Sequence, residues 1–563
     1  MTAIEIISSL LVEIYGKQQG RIALDRVLEL IASYHKNQHP STMLFSQEDV
    51  ILITYGNTLM HGEEPPLSVL KRFADHYLKN AVTVIHLLPF FPFSSDDGFA
   101  VMDFTMVDPA LGDWNDIATF KDNFGLMFDW VLNHISARSL WFENYLCGKK
   151  GFEQLAIEVD PRTDVCQVTR PRALPLLTPF KKKNGQIVHL WTTFSADQVD
   201  LNYADIDVLL KMLEVLLLYV QKGAEILRLD AIAYLWKELG TSCIHHPKTH
   251  ALVRFFRAVL DMTAPHVAIV TETNVPHKEN ISYFGHNGNE AHMVYNFSLP
   301  PLLLHTFITE DSRILCRWAK NLQTDLKKAV FLNFTASHDG IGMRPLEGIL
   351  TKQQLAAMMD QVSQNKGRIS YKNNPDGTQS PYELNITYLD ALRQKSDTDL
   401  KHIRRFLASQ AIALTLPGVP GIYIHSILGS RNWHEGVLKT GQARSINREK
   451  LQEEKVVAEL TKPDSFRSTV FYPYYNLLKI RRQQPAFHPK ATCKVLDLGP
   501  KVFGLIRENN QQKIYALTNV SSTLVEVSNL EEDSDGKVQD LITQEEYTLA
   551  RIRLLPHQTL WLR

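Results

Sequence analysis

Cysteine is scarce in this sequence: Cys147, Cys166, Cys243, Cys316 and Cys493 are all that 563 residues contain. An odd, widely scattered set fits neither a disulfide framework nor paired metal-ligand spacing, so structural thiols in a reducing cytoplasm are expected, and no metal. Charge of one sign is not in excess either. Sixty Lys and Arg face sixty-one Asp and Glu, a formal net charge of -1. That supplies no global field for nucleic acid or an anionic membrane while allowing a local cationic pocket. Long apolar runs are missing as well. Leu209 to Val220 is broken by Lys211 and Glu214, and the N-terminal apolar stretch contains Glu5 and Glu13 without a basic start. Neither a membrane span nor a signal peptide is expected, so the protein reads as cytoplasmic. No Gly-rich phosphate loop or nicotinamide fingerprint follows a strand-like run, and there is no repeat or low-complexity tract.

What the chain does contain is ordinary globular composition, 44% hydrophobic and 21% charged, which provides a core and excludes disorder as the main state. Residues 1–47 place Ile4, Ile7, Leu11, Ile14, Leu24, Val27, Leu28 and Ile31 at helical spacing and predict a helical N-terminal extension. Short apolar, β-rich runs then recur: Ile51 to Tyr55, Val82 to Leu88, Leu126 to Leu132, Ile226 to Leu229, Val267 to Val270, Met293 to Phe297, Val330 to Phe334 and Ile422 to Ile424. Separated by helix-length stretches, they predict an α/β fold, a (β/α)₈ TIM barrel with inserted loop subdomains. The barrel takes residues 48–135, 206–340 and 393–488. Residues 136–205 are an inserted subdomain after the third strand, and 341–392 a second insertion over the strand ends. The first insertion holds Arg170-Pro171-Arg172 through Pro179, which cannot be central helix or strand, and the second the turn-rich Tyr371 to Gly377. After Pro489, alternating strands and turns predict a C-terminal β-domain over 489–563, with strands near Val502 to Ile506, Lys513 to Leu517, Leu524 to Val527, Arg551 to Leu555 and Thr559 to Leu562.

In such a barrel the active site lies at the C-terminal ends of the strands. Polar clusters fall there: Asn133-His134 after the third run, Arg228-Leu229-Asp230 at the fourth, Glu272-Thr273-Asn274 after the fifth and His338-Asp339 after the seventh. A single strand-end carboxylate is ordinarily a cap or a loop ion pair. Independent surface charges, however, have no reason to gather at the same end of successive strands. Two carboxylates flanking a glycosidic bond act as nucleophile and acid/base through a covalent glycosyl intermediate, and a third can serve substrate hydroxyls and the developing oxocarbenium charge. Arg228 lies on the same strand side as Asp230 and can hold that nucleophile ionised.

The order Asp129-Trp130-Val131-Leu132-Asn133-His134, Arg228-Leu229-Asp230, Glu272 and His338-Asp339 resembles the α-amylase superfamily of glycosidases and transglycosidases. Leu87 to Pro92 followed by Asp96-Asp97-Gly98-Phe99, Gly240 to Cys243, Leu299 to His305 and Arg444-Ser445-Ile446-Asn447-Arg448 resemble its sucrose phosphorylase branch, over residues 48–563. The resemblance implies Asp230 as nucleophile, Glu272 as acid/base and Asp339 as transition-state stabiliser. It puts Asp96, His134, Arg228, His338 and Arg448 around the donor glucosyl ring, with Phe99 as an apolar wall and Tyr234 near the acid/base. Thr273 to His277 and Lys372 to Glu383 depart from sucrose phosphorylases; with Trp236 to Glu238 and the N-terminal extension they resemble the glucosylglycerate phosphorylase group. That implies reversible phosphorolysis of glucosylglycerate to α-D-glucose 1-phosphate and D-glycerate by double displacement, with inorganic phosphate as co-substrate and no cofactor. Sucrose, sucrose 6'-phosphate or glucosylglycerol phosphorylase, an α-glucoside hydrolase, and a noncatalytic glycosidase-fold scaffold stay open as alternatives, as does homo-oligomerisation. Arg170 and Arg172 are the leading phosphate candidates, because a guanidinium binds phosphate oxygens bidentately. Lys237, His245 and His246 are weaker ones, and Asn274, Tyr382 and Glu383 complete the expected acceptor side.

Overall fold

A computed structural model describes residues 2–34, 45–172, 174–322, 329–374, 378–528, 530 and 537–563. Pro375, Asp376 and Gly377 of the expected turn, and residues 35–44 of the expected N-terminal helix, lie outside the described residues.

Eight parallel strands close into a barrel: β1 (Ile51–Thr54), β2 (Val84–Leu87), β3 (Gly125–Trp130), β4 (Ala224–Leu229), β5 (Ala268–Thr271), β6 (Met293–Tyr295), β7 (Val330–Phe334) and β8 (Val419–Tyr423). β8 pairs back onto β1, Ile51 opposite Gly421. The strands read as largely apolar runs, interrupted at His86, Asp129, Glu225, Arg228 and Asn333, because most positions on both faces are covered. Ile51, Val84, Met127, Ile226, Val270, Met293, Val330 and Val419 form one cluster, the packed barrel interior, while the alternate residues join a larger cluster beneath the outer helices. β8 starts at Val419, ahead of the expected Ile422, because Val419-Pro420-Gly421 reads as a turn in sequence.

Helices alternate with the strands, each bounded by its own signals. Ile206–Lys222 starts on Asp205, whose side chain accepts from the Asp207 N–H, and ends on Gly223 at φ 101°. The N-terminal helix α1 (Ala3–Ser33) opens with a capping box between Thr2 and Glu5 and is broken at Gly16. It lies against Ile206–Lys222 and Pro247–Thr263, fastened by the Tyr15 hydroxyl on the Tyr203 carbonyl at 2.9 Å and by Arg254 on Glu13 at 2.7 Å.

Between β3 and Ile206 the chain makes an excursion containing the helix Leu140–Leu146 and the ribbon Leu177–Lys181 with Ile187–Trp191. Pro179 sits in that ribbon, where two strands have no central position and a missing N–H is tolerated. After β7 a three-stranded antiparallel sheet (Ile341–Gly342, Gln379–Asn385, Arg368–Asn373) and the helix Lys352–Gln364 stand over the barrel mouth. The C-terminal segment forms two four-stranded antiparallel sheets. Arg481 and Arg507, both fully buried, fasten it to the barrel by donating to backbone carbonyls, among them Leu414, Gly418 and Phe487 for Arg481 and Thr415 and His488 for Arg507.

Candidate active site

The backbone ladder continues past the strand ends into the site. The Asp230 N–H donates to the Trp130 carbonyl at 3.2 Å, and the Glu272 N–H to the Leu229 carbonyl at 3.2 Å. Asp230, next after β4, and Glu272, next after β5, are therefore set by neighbouring strands rather than by loops. Ala231 follows in the left-handed region at φ 51°, a conformation that turns its N–H onto Glu272 Oε2 at 3.2 Å. Asp339 lies on the loop after β7, which Asn447 clamps by donating to the carbonyls of Ser337 at 3.1 Å and Asp339 at 3.0 Å.

One guanidinium organises the first two carboxylates. Arg228 donates to Asp230 at 2.8 Å, approaches Glu272 to 3.9 Å and pairs from below with Asp129, whose other oxygen meets His86 at 2.7 Å. Burial pushes Asp230 up to about 8, with Glu272, Asp129 and Asp339 acting the same way and Arg228 opposing them. Burial also raises Glu272 against the pull of Arg228. Asp339 is the opposite case: burial would raise it, yet Arg444, His338, Arg228 and Arg448 outweigh that and hold it ionised, Arg444 from 2.7 Å. Three carboxylates in one pocket thus separate into one held as an anion and two that compete for a proton.

The walls are aromatic and neutral. His338 stacks on Phe99 with centroids 4.8 Å apart, and burial lowers it to about 3. His134 meets the Phe99 carbonyl at 3.0 Å and is lowered to about 4 by burial. Phe194 stands between His134 and Tyr234, at 5.2 and 5.4 Å. The pocket, about 730 Å³ out to its mouth, is completed by Asp96, Arg172, Asn274, Phe297, Tyr382, Glu383 and Arg444.

The family model for the α-amylase catalytic domain matches residues 75–344. The chain is 48% identical over 530 residues to a glucosylglycerate phosphorylase of Spirochaeta thermophila, covering 92% of this chain and 90% of the relative. It is 45% identical over 522 residues to one of Escherichia coli K12, covering 92% of each. The chain belongs to the α-amylase superfamily. The crystal structure of a sucrose 6F-phosphate phosphorylase from Thermoanaerobacter thermosaccharolyticum superposes with a TM-score of 0.76 at 24% identity, over 91% of this chain and all of that one, and so shares its fold.

Within this α-amylase-type pocket, Asp230, Glu272, Asp339, Asp96, Phe99, His134, Arg228, Tyr234, His338, Arg172, Asn274, Tyr382 and Glu383 are brought together as expected. Five expected residues are not. Arg170 is exposed and lines none of the pocket. The Lys237 ammonium is buried at 2.7 Å from Asn133 and 2.8 Å from Asp200, where it neutralises that carboxylate and has no face toward the pocket. His245 is turned to Tyr283 and Glu279, while His246 caps Pro247–Thr263 and faces Glu238. Arg448 lies behind the wall, donating to the His338 carbonyl at 2.8 Å and to Asp97 at 2.6 Å. The cause is the turn at Asp96 and Asp97, both at positive φ (55° and 49°), which sends Asp96 into the pocket and Asp97 away from it. The arginine that enters is Arg444, unassigned by sequence reasoning although it stands four residues earlier in the same motif; Phe194, Gln198 and Phe297 were also missed. Among the described residues, no helix is long and apolar enough to cross a membrane, and no group of three or more His, Cys, Asp or Glu is placed to hold a metal ion.

Proposed function

We propose that the protein is a retaining glycoside phosphorylase that converts glucosylglycerate and phosphate to α-D-glucose 1-phosphate and D-glycerate, reversibly. The observation that carries the chemistry is Arg228 spanning Asp230 and Glu272 in one buried pocket. The closer ion pair, at 2.8 Å, favours the microstate in which the proton shared by the two carboxylates sits on Glu272 and Asp230 is the anion, and that is the reactive one. Glu272 protonates the leaving glycerate oxygen while Asp230 attacks the anomeric carbon, giving a β-glucosyl ester. Glu272, now a carboxylate, takes a proton from phosphate as it displaces Asp230, and inversion twice over restores the α configuration. Asp339, ionised by Arg444, stabilises the oxocarbenium-like charge that develops in the transition state of each step.

The acceptor follows from the relatives' identity and from the acceptor-side groups. Arg172 is a third exposed at its side chain and spends one hydrogen bond on Asp96 at 3.1 Å, so its guanidinium retains donors for a phosphate or carboxylate. The Asn274 side-chain oxygen, in the same pocket lining, is buried without a hydrogen-bond partner. Phosphate release from glucose 1-phosphate across D-glycerate, fructose, fructose 6-phosphate and glycerol tests the reading. Glycerate should lead in kcat/KM, and neutral glycerol should trail by a few kcal/mol, about the cost of an unpaired buried polar group. If glycerol matches glycerate or fructose exceeds both, the acceptor assignment fails; free glucose as the main product in millimolar phosphate would make the enzyme a hydrolase.

A further inference from the structure

The charge of the pocket is at odds with the charge of what it is proposed to bind. Five carboxylates line it: Asp96, Asp230, Glu272, Asp339 and Glu383. Three guanidiniums face them, from Arg172, Arg228 and Arg444, and both lining histidines are neutral. With every carboxylate ionised the lining carries two more negative charges than positive. Phosphate, glycerate, glucosylglycerate and glucose 1-phosphate are all anions, so their entry requires that negative charge be withdrawn.

Glu383 is the group placed to withdraw it. It is 3% exposed, and it holds Arg444 bidentately, Nε at 3.0 Å and Nη2 at 2.5 Å, while Nη1 of the same guanidinium holds Asp339 at 2.7 Å. Arg444 thus gives one edge to the glucosyl side of the pocket and the other to Glu383. Asp96 and Asp339 are both held ionised by arginines, and Asp230 and Glu272 are committed to the glucosyl transfer. Glu383 has no part in that transfer, and burial raises it against Arg444 and Arg172. From the neighbouring elements Arg444, Asp339 and Arg172 face it, and Tyr382 precedes it on its own strand. Its partners in the sheet, Gly342 and Ser370, are uncharged. On that second strand Arg368 is exposed and Lys372 turns to Glu347 at 3.8 Å.

We propose that Glu383 is a proton-linked gate on the acceptor subsite: ionised, it occupies one edge of Arg444, and when an anionic acceptor enters it takes a proton from solvent, cedes that edge to the anion's oxygens and donates its new O–H to them. The inference rests on the anionic-acceptor reading above. Arg444 then reads the acceptor with Nε and Nη2 while Nη1 continues to hold Asp339, and the second insertion is coupled to the glucosyl site through one side chain.

Titration calorimetry of D-glycerate and of sulfate, neither of which titrates near neutrality, in buffers of different ionisation enthalpy counts the protons. At pH 8 the wild type should take up close to one proton per anion, and affinity for both anions should fall by up to tenfold per pH unit as pH rises. Glu383→Gln should take up almost none and bind both anions with little pH dependence. An infrared difference spectrum of the wild type should gain a protonated-carboxyl band on sulfate binding, a readout that needs no variant. Equal uptake in wild type and E383Q would put the proton on Asp230 or Glu272 and overturn the gate, as would binding without uptake or without the band. If neither anion binds, the anionic-acceptor reading falls and the gate falls with it.

Discussion

Asp230 is a residue whose function and stability pull in opposite directions. The nucleophilic role proposed for it requires the anion, and Arg228 supports that at 2.8 Å, but burial among other carboxylates favours the neutral form. Asp230→Asn should therefore lose turnover by at least about 10⁴-fold, as expected for removal of a nucleophile, while melting no lower than the wild type. A 2-fluoroglucosyl donor followed by mass spectrometry should label the wild type at Asp230 and leave the variant unlabelled; label found elsewhere contradicts the assignment. Glu272→Gln should behave differently, keeping turnover with α-glucosyl fluoride, whose leaving group needs no proton, and losing it with the natural donor. Equal losses on both donors would remove its acid role. These carboxylates were legible in sequence because the end of an apolar run locates the catalytic face without any knowledge of turns. The surrounding cations were not. Whether Arg444 or Arg448 enters the pocket depends on two aspartates in the left-handed region, and whether Lys237 is free depends on the buried Asp200 contributed from 37 residues earlier.

At the scale of elements, all eight barrel strands stand out as apolar runs because both faces of each are covered. Three short strands of the C-terminal sheets, Thr492–Val495, Lys537–Gln539 and Glu546–Thr548, do not, since they are only three or four residues long and alternate between exposed and half-buried positions with no buried apolar face. The break in α1 was hidden for another reason: the apolar spacing continues on both sides of Gly16, and only φ 80° reveals it. Beyond the break, a Cβ on Gly20 would stand 2.8 Å from backbone atoms of Leu11 and Val12, so the two halves of α1 pack through a missing side chain. Gly20→Ala should force the halves apart and destabilise the protein by about 1–3 kcal/mol. Gly16→Ala, open on all sides, should cost only the backbone strain of φ 80° with ψ 169°, a region essentially reserved for glycine, about 1–3 kcal/mol. Urea unfolding measures both, and a neutral Gly20→Ala contradicts the packing. Catalysis by the folded fraction should be unchanged, because α1 packs on the outside of the barrel helices.

For the whole molecule, the buried titratable groups combine into one stability profile with pH. His134, His338 and His425 are buried and neutral, lowered by burial to about 4, 3 and 3. In the unfolded chain they take protons below about 6.5, so there the unfolded state binds more protons than the folded one and stability falls as pH drops, through each folded value. Every such group contributes up to about 1.4 kcal/mol per pH unit. Asp230 has the opposite sign. Raised to about 8, it is protonated in the folded state over a range where the unfolded aspartate is ionised, so stability falls as pH rises toward 8 and levels off above it. Below pH 6.5 the neutral buried histidines, with His245 and His557 acting alongside the three named, outweigh the aspartate, and between 6.5 and 8 Asp230 leads, with Glu272 and Glu383, also raised by burial, acting in the same direction. The melting temperature should accordingly peak near pH 6.5, drop steeply on the acid side and gently between 6.5 and 8. Asp230→Asn should flatten the alkaline slope and leave the acid slope standing, since the histidines are untouched. Scanning calorimetry of both proteins from pH 5 to 9 reads the two limbs separately. An alkaline slope that persists in Asp230→Asn would mean that the cost of the crowded carboxylates falls on Glu272 or Glu383 instead, and that Asp230 is the stable anion that Arg228 alone would make it.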